Sequence, residues 1–207
     1  MKVLLVNGSP HPSGNTFTAL NEIARTLQQE GIETEIFNLG TRPVRGCTAC
    51  GNCKTKNPGR CIFDDDVCNS LSAKCASADA FVFGSPVFYG QPNGALMAVL
   101  QRILYSNGQN LQYKPVANVA VCRRGGATAA FQAMNMMFQM MNMPVVSSQY
   151  WNIAYGRQQG EAAQDIEGMQ TMRTLAYNMS WMLKKLHHDG TNDLPKSEPW
   201  APMHFIR

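Results

Sequence analysis

At 207 residues the chain has room for one substantial hydrophobic core, and its 44% hydrophobic content supports a folded domain rather than a disordered segment. No window approaches the roughly 18 apolar residues of a membrane span, and Met1 leads into Lys-Val-Leu-Leu-Val, too short a run for a secretory leader. A cytoplasmic protein without a membrane partner is expected.

The net charge is +4, but its distribution is more informative: no acidic residue lies between Asp79 and Glu161, a span containing Arg102, Lys114, Arg123, Arg124 and Arg157. A second acid-free stretch holds Arg42, Arg45, Lys54, Lys56 and Arg60. Such surfaces favour phosphates, dinucleotides or an acidic redox protein. Basic runs interleaved with aromatics are missing, so nucleic acid is not an expected partner.

Strand and helix signals alternate along the chain. KVLLVN (2–7) reads as a buried strand, 16–30 has helical periodicity through Phe17, Leu20, Ile23, Ala24 and Leu27, and ETEIFNL (33–39) alternates as a strand does. Asp64 to Asp66 offer a cap for a helix ending near Ala76. A strand over 79–86, a helix over 93–105, a strand over 115–122, a helix over 127–142, a strand over 144–151 and a helix from Glu161 to about His188 follow. Five strands alternating with helices predict an α/β fold: a doubly wound, five-stranded parallel sheet in three layers, occupying 1–188 as one domain. Residues 189–207, with three prolines beside Trp200 and Phe205, carry no periodicity and are expected to pack on the domain or a neighbouring subunit.

In such sheets the ligand sits beyond the carboxyl ends of the strands, where strand order reverses. The loop after the first strand, NGSPHPSGNT, is rich in small residues and leads into a helix whose N-terminal amides suit an anion, so it reads as a phosphate cradle. It has neither the Gly-Lys-Ser/Thr ending of a Walker loop nor a GxGxxG fingerprint. Its Gly-Ser-Pro, short polar run and Gly-Asn-Thr resemble the flavodoxin-like NADPH-dependent FMN reductase superfamily, over about residues 1–185. The resemblance implies that Ser9, His11, Ser13, Asn15 and Thr16 hold the FMN phosphate. His11 stands where relatives often have arginine.

The loop GSPVFYGQPNGAL (84–96) joins rigid backbone to an aromatic pair, and it resembles the family segment that embraces the isoalloxazine. That resemblance assigns Pro86, Val87, Phe88, Tyr89 and Gly90 to the flavin. In CRRGGAT (122–128) it places the turn with Gly125 and Gly126 at the pyrimidine side; the doubled Arg123 and Arg124 depart from the family pattern, with Arg123 read as a flavin contact and solvated surface arginines as the alternative. A cation there would favour negative charge on reduced flavin or bind an NADPH phosphate.

Four of the seven cysteines cluster as CxxCxxCx7C: Cys47, Cys50, Cys53 and Cys61. An odd total, four of them clustered, in a chain expected in a reducing cytosol argues against a disulfide framework. Zinc sites more often use two separated CxxC pairs, whereas a compact CxxCxxC wraps three corners of a [4Fe-4S] cluster and takes its fourth ligand from elsewhere. Redox-active thiols remain a third option. The pattern resembles the iron–sulfur flavoprotein branch of the same superfamily, which implies a cluster beside FMN and an acidic ferredoxin as a partner. Cys68, Cys75 and Cys122 read as small core residues.

The helix over 127–142 is apolar all round, with Phe131, Met134, Met136, Met137, Phe138, Met140 and Met141, and predicts a subunit interface of a homodimer or homotetramer. Tyr150, Trp151 and Tyr155 are expected in the core, the alternative being that they reach the flavin or substrate of an adjacent subunit. The expected function is an FMN-dependent oxidoreductase passing electrons from NAD(P)H or ferredoxin to a quinone, nitro, azo or other small-molecule acceptor. No side chain is expected to be the chemical catalyst, because the flavin carries the reaction. Its rivals are an FMN reductase without a cluster and a flavodoxin-type electron carrier.

Overall fold

The run KVLLVN is apolar at consecutive positions because its strand is covered on both faces. In the computed structural model, which describes residues 1–187, 194–196, 198–199 and 201–203, strand β1 (Lys2–Asn7) lies between β2 (Glu33–Asn38) and β3 (Ala80–Phe88), parallel to both. Val3 and Leu5 point into one half of the core and Leu4 and Val6 into the other. Strands β5 (Val116–Cys122) and β6 (Ile153–Tyr155) continue the sheet in the order β2-β1-β3-β5-β6, all parallel. A two-residue strand β4 (Gln91–Pro92) folds back antiparallel on the end of β3. The expected three-layer, doubly wound parallel sheet is thus present, in the flavodoxin-like strand order.

Helices α1 (Asn15–Gln29) and α6 (Ile166–Leu186) cover one face, where Leu20, Ile23, Leu27, Met172, Leu175 and Met179 are fully buried. Helices α3 (Cys68–Ala76), α4 (Gly94–Asn107) and α5 (Ala127–Met140) cover the other. A single helical turn, α2 (Asn52–Thr55), interrupts the cysteine segment. Among the described residues no helix is long and apolar enough to cross a membrane.

Two sequence expectations are corrected. The fifth parallel strand is Ile153–Tyr155, not 144–151; in that stretch only Val145 forms an isolated bridge, to Val116. Ser148 Oγ lies 2.6 Å from Tyr150 O and 2.7 Å from Asn152 Oδ1, so the segment turns on its own side chain instead of joining the ladder. The last helix begins later, because Asp165 caps it by accepting from Gly168 N at 2.9 Å while 161–164 form a separate 3-10 turn. Most of the tail from Asp189 onward, with the packing expected of it, lies outside the described residues.

The chain crosses from β1 out to β2 and returns past β1 to β3, so strand order reverses between β1 and β3. The loops after β1, β3, β5 and β6 meet at that end of the sheet, and the cysteine segment leaves the same end after β2.

Candidate functional site

Asn7, fully buried at the end of β1, shapes the first loop. Its Nδ2 donates to Asn38 Oδ1 (2.8 Å) and to His11 O (3.3 Å), and its Oδ1 accepts from Ser9 N (3.1 Å). Ser9 Oγ accepts from His11 N at 3.1 Å, which closes the turn and leaves the hydroxyl proton free to donate elsewhere. Gly8 sits where a Cβ would lie 2.8 Å from Gly84 O, so the loop can descend between β1 and β3 only without a side chain. Helix α1 follows with Gly14 at its N-cap and no side chain bonded to its first amides. Those amides are oriented donors with a partial positive charge.

Ser9, His11, Ser13, Asn15, Thr16, Pro86, Val87, Phe88 and Arg123 all line one open cleft of about 450 Å³. Its volume is within the usual range for a cofactor site. Among the described residues that line it there is no acidic side chain, while Arg123 and Arg157 are present. Tyr89, Gly90, Gly125 and Gly126 lie outside that lining. Tyr89 has φ of 50° and is fully exposed. Gly126, at φ 89°, comes so close to Gly90 that a Cβ would lie 2.8 Å from Gly90 Cα. These glycines let the loops after β3 and β5 touch.

The fourth wall, absent from the sequence expectations, is the loop after β6. Gly156, Arg157 and Gln159 line the cleft. Asn15 Nδ2 donates to Gln158 O (2.8 Å), Asn15 Oδ1 accepts from Ala162 N (3.1 Å), and Gln159 Nε2 donates to Ser13 Oγ (3.1 Å). Glu161 accepts from the backbone amides of Gln158 (2.8 Å) and Arg157 (2.6 Å), bonds that hold its carboxyl below the ordinary range. The signal was hidden because it depends on where β6 falls, and that strand has three residues.

Cys47, Cys50, Cys53 and Cys61 line a second, much smaller cavity with Phe63, Arg102 and Tyr105. Cys47 and Cys50 are exposed and Cys53 is buried. Left-handed backbone at Ala49 (φ 53°) and Gly51 (φ 69°) folds the first arm around the cavity. Asn69, from α3, bonds the Cys61 amide (3.1 Å) and carbonyl (3.0 Å), and Arg102, from α4, donates from Nε to Cys61 Sγ at 3.3 Å. Each carboxylate of Asp64, Asp65 and Asp66 pairs with an arginine, respectively Arg60, Arg45 and Arg102. Three of the cations around this loop are therefore neutralised locally, leaving Arg42, Lys54 and Lys56 without a carboxylate partner among the described residues. No three His, Cys, Asp or Glu side chains among the described residues converge closely enough to hold a single metal ion. A four-iron cube takes one thiolate at each of four separate corners, so it does not need that convergence.

Tyr150, Trp151 and Tyr155, expected in the core, are instead about half exposed beside a cavity of about 160 Å³ at the β6 edge. Cys68, Cys75 and Cys122 are buried as expected.

The family model for NADPH-dependent FMN reductase matches residues 1–158. An iron-sulfur flavoprotein of Methanocaldococcus jannaschii is 31% identical over 89% of this chain and 98% of its own length. The chain belongs to the NADPH-dependent FMN reductase family, in its iron–sulfur flavoprotein branch. An iron-sulfur flavoprotein of Methanosarcina thermophila is 25% identical over 89% of this chain and 96% of its own length. A structure of RosB with a bound intermediate, 8-demethyl-8-formylriboflavin-5'-phosphate, superposes with a TM-score of 0.70 at 16% identity, covering 100% of this chain and 94% of that one, a likeness of fold.

This reductase is accordingly an FMN-dependent oxidoreductase. The cleft has the properties that FMN requires: an uncapped helix N-terminus for the phosphate, a wall free of carboxylates, and glycines where loops approach.

Proposed function

We propose that the cleft binds FMN with its phosphate at the β1–α1 loop and its ring against Pro86, Val87 and Phe88, and that the cysteine loop binds a [4Fe-4S] cluster. The phosphate end is served by the Ser9 and Ser13 hydroxyls, His11 and the first amides of α1. Asn15 and Thr16 contribute through their backbone N–H groups, since the Asn15 side chain is committed to the β6 loop and Thr16 is buried. Bound FMN supplies the chemistry of accepting and releasing one or two electrons. Arg123 and Arg157 favour the negative charge that reduction brings and can meet a nicotinamide dinucleotide phosphate. Electrons come from NAD(P)H or from ferredoxin and leave to a small quinone, nitro, azo or other acceptor. The acid-free cleft at the strand reversal carries this reading.

An all-thiolate donor set suits iron–sulfur ligation. The cysteine cavity, about 20 Å³, has room for roughly one water, so it would have to widen to take a cluster. A reductase without a cluster is the second reading, favoured by the small size of the cysteine cavity. Anaerobic purification with flavin, iron and sulfide counted per chain separates them: about four irons per chain supports the cluster, and a clean flavin spectrum without iron leaves the second reading. Turnover with NAD(P)H and an artificial acceptor distinguishes either from an electron carrier.

A further inference from the structure

Arg102 lies two turns into α4 and is 1% exposed, yet its guanidinium serves the cysteine loop rather than its own helix. Nε donates to Cys61 Sγ (3.3 Å), Nη1 to Arg45 O (3.3 Å) and to Asp66, and Nη2 to Phe63 O (3.0 Å). The fork thus reaches both ends of the loop, just before Cys47 and just after Cys61. Its plane also stands 5.7 Å from the centre of the Phe63 ring, which Arg45 approaches from 4.6 Å. Burying a guanidinium is costly, and the Asp66 pair alone would be matched in stability by an apolar pair of similar volume. What an apolar pair cannot supply is an N–H directed at one sulfur together with a fixed positive charge beside four thiolates.

We infer that Arg102 is a positioning residue for the cysteine loop: it fixes Cys61 and, through its N–H and charge at that sulfur, raises the reduction potential of the centre the cysteines hold. This rests on the cluster reading of the proposed function. Hydrogen bonds to cluster sulfurs are among the protein's means of setting the potential, and a neighbouring cation stabilises the more negative, reduced state. Lysine is not equivalent, because an ammonium lacks the planar fork that bonds a sulfur, two carbonyls and a carboxylate at once.

Wild-type protein, R102K and D66N, purified anaerobically, are compared for iron content, thermal midpoint and cluster potential in an EPR-monitored titration. R102K keeps a cation for Asp66 but loses the fork, whereas D66N keeps the fork and loses the ion pair. R102K is expected to lower the reduction equilibrium at least tenfold, about 59 mV for a one-electron couple, while D66N lowers the thermal midpoint and leaves the potential within that bound. An R102K potential equal to wild type, or a potential that follows D66N instead, overturns the inference and makes Arg102 a structural ion-pair partner. Should R102K fail to fold, the charge-balanced double variant R102Q/D66N is read by the same criterion. If wild-type protein holds no iron, the cluster reading fails by itself and amide exchange decides the positioning role. Exchange at 45–47 and 61–63 rising at least tenfold in R102K supports it, and unchanged exchange overturns it.

Discussion

Six of the seven cysteines fall into two sets with opposite physical chemistry. Cys47, Cys50, Cys53 and Cys61 share one cavity, while Cys68 and Cys75, on α3, face the core. Burial pushes both of those thiols up to about 12. A thiol whose folded value is raised adds stability below its unfolded value, near 8.5, and loses it as pH rises from there toward 12. Asp66 has the opposite sign: burial opposes its ionisation, but the bonds from Arg102 and the Cys68 amide prevail and hold its carboxyl below the ordinary range. Its contribution is present above about pH 4 and is lost as pH falls further. Thermal midpoints are therefore expected to decline on both limbs, with C68A/C75A flattening the limb above about pH 8.5 and D66N the acid limb. Unaltered limbs in both variants would refute these assignments. Neither Arg102 nor Asn69 was legible as a loop anchor in the sequence. Each is a polar residue inside a helix, and its partners lie 41 and eight residues away at Cys61, a relation with no local signature.

Among the elements, the loop after β6 forms one wall of the cleft proposed for flavin. At Gly156 a Cβ would stand 2.8 Å from both Ala162 N and Asn15 Nδ2, within the clamp that ties this loop to the start of α1. G156A must push the loop off α1, at a cost on the order of 1–3 kcal/mol for overpacking. Flavin affinity is expected to fall about tenfold or more, with a smaller loss of thermal stability in the flavin-free protein. Unchanged affinity measured by fluorescence titration would show that the loop does not wall the site. This clamp also marks what the sequence could reveal. The β1–α1 cradle was legible because small residues, a strand and a helix start are contiguous, and the loops after β3 and β5 followed from strand ends correctly placed. The last strand was not, because Val145 and Val146 have strand composition while Ile153–Tyr155 is too short to show alternation. A cap signal did exist at Asp165, three residues before Gly168, and would have placed the start of α6.

For the molecule as a whole, one sheet carries two clefts that share no lining residue. The cysteine segment is braced by α3 and α4, whose apolar residues belong to the core half containing Leu4, Val6, Phe81 and Phe83. The phosphate loop leads into α1 on the other half, with Val3, Leu5 and Val82. Since the two clefts share no lining residue and follow different strands, damage to one should leave the other loaded. C61S removes one of the four thiolates proposed to hold the cluster and replaces it with an oxygen that iron–sulfur centres seldom accept as a ligand. Iron per chain is expected to fall several-fold while flavin per chain stays at the wild-type level. NAD(P)H-dependent reduction of an artificial acceptor should persist within about twofold, whereas reduction by ferredoxin should be lost if those electrons enter at the cluster. Flavin and iron disappearing together would mean that the two clefts form one cooperative unit across the sheet, and the separate bracing of the cysteine loop through Arg102 and Asn69 would no longer account for their behaviour.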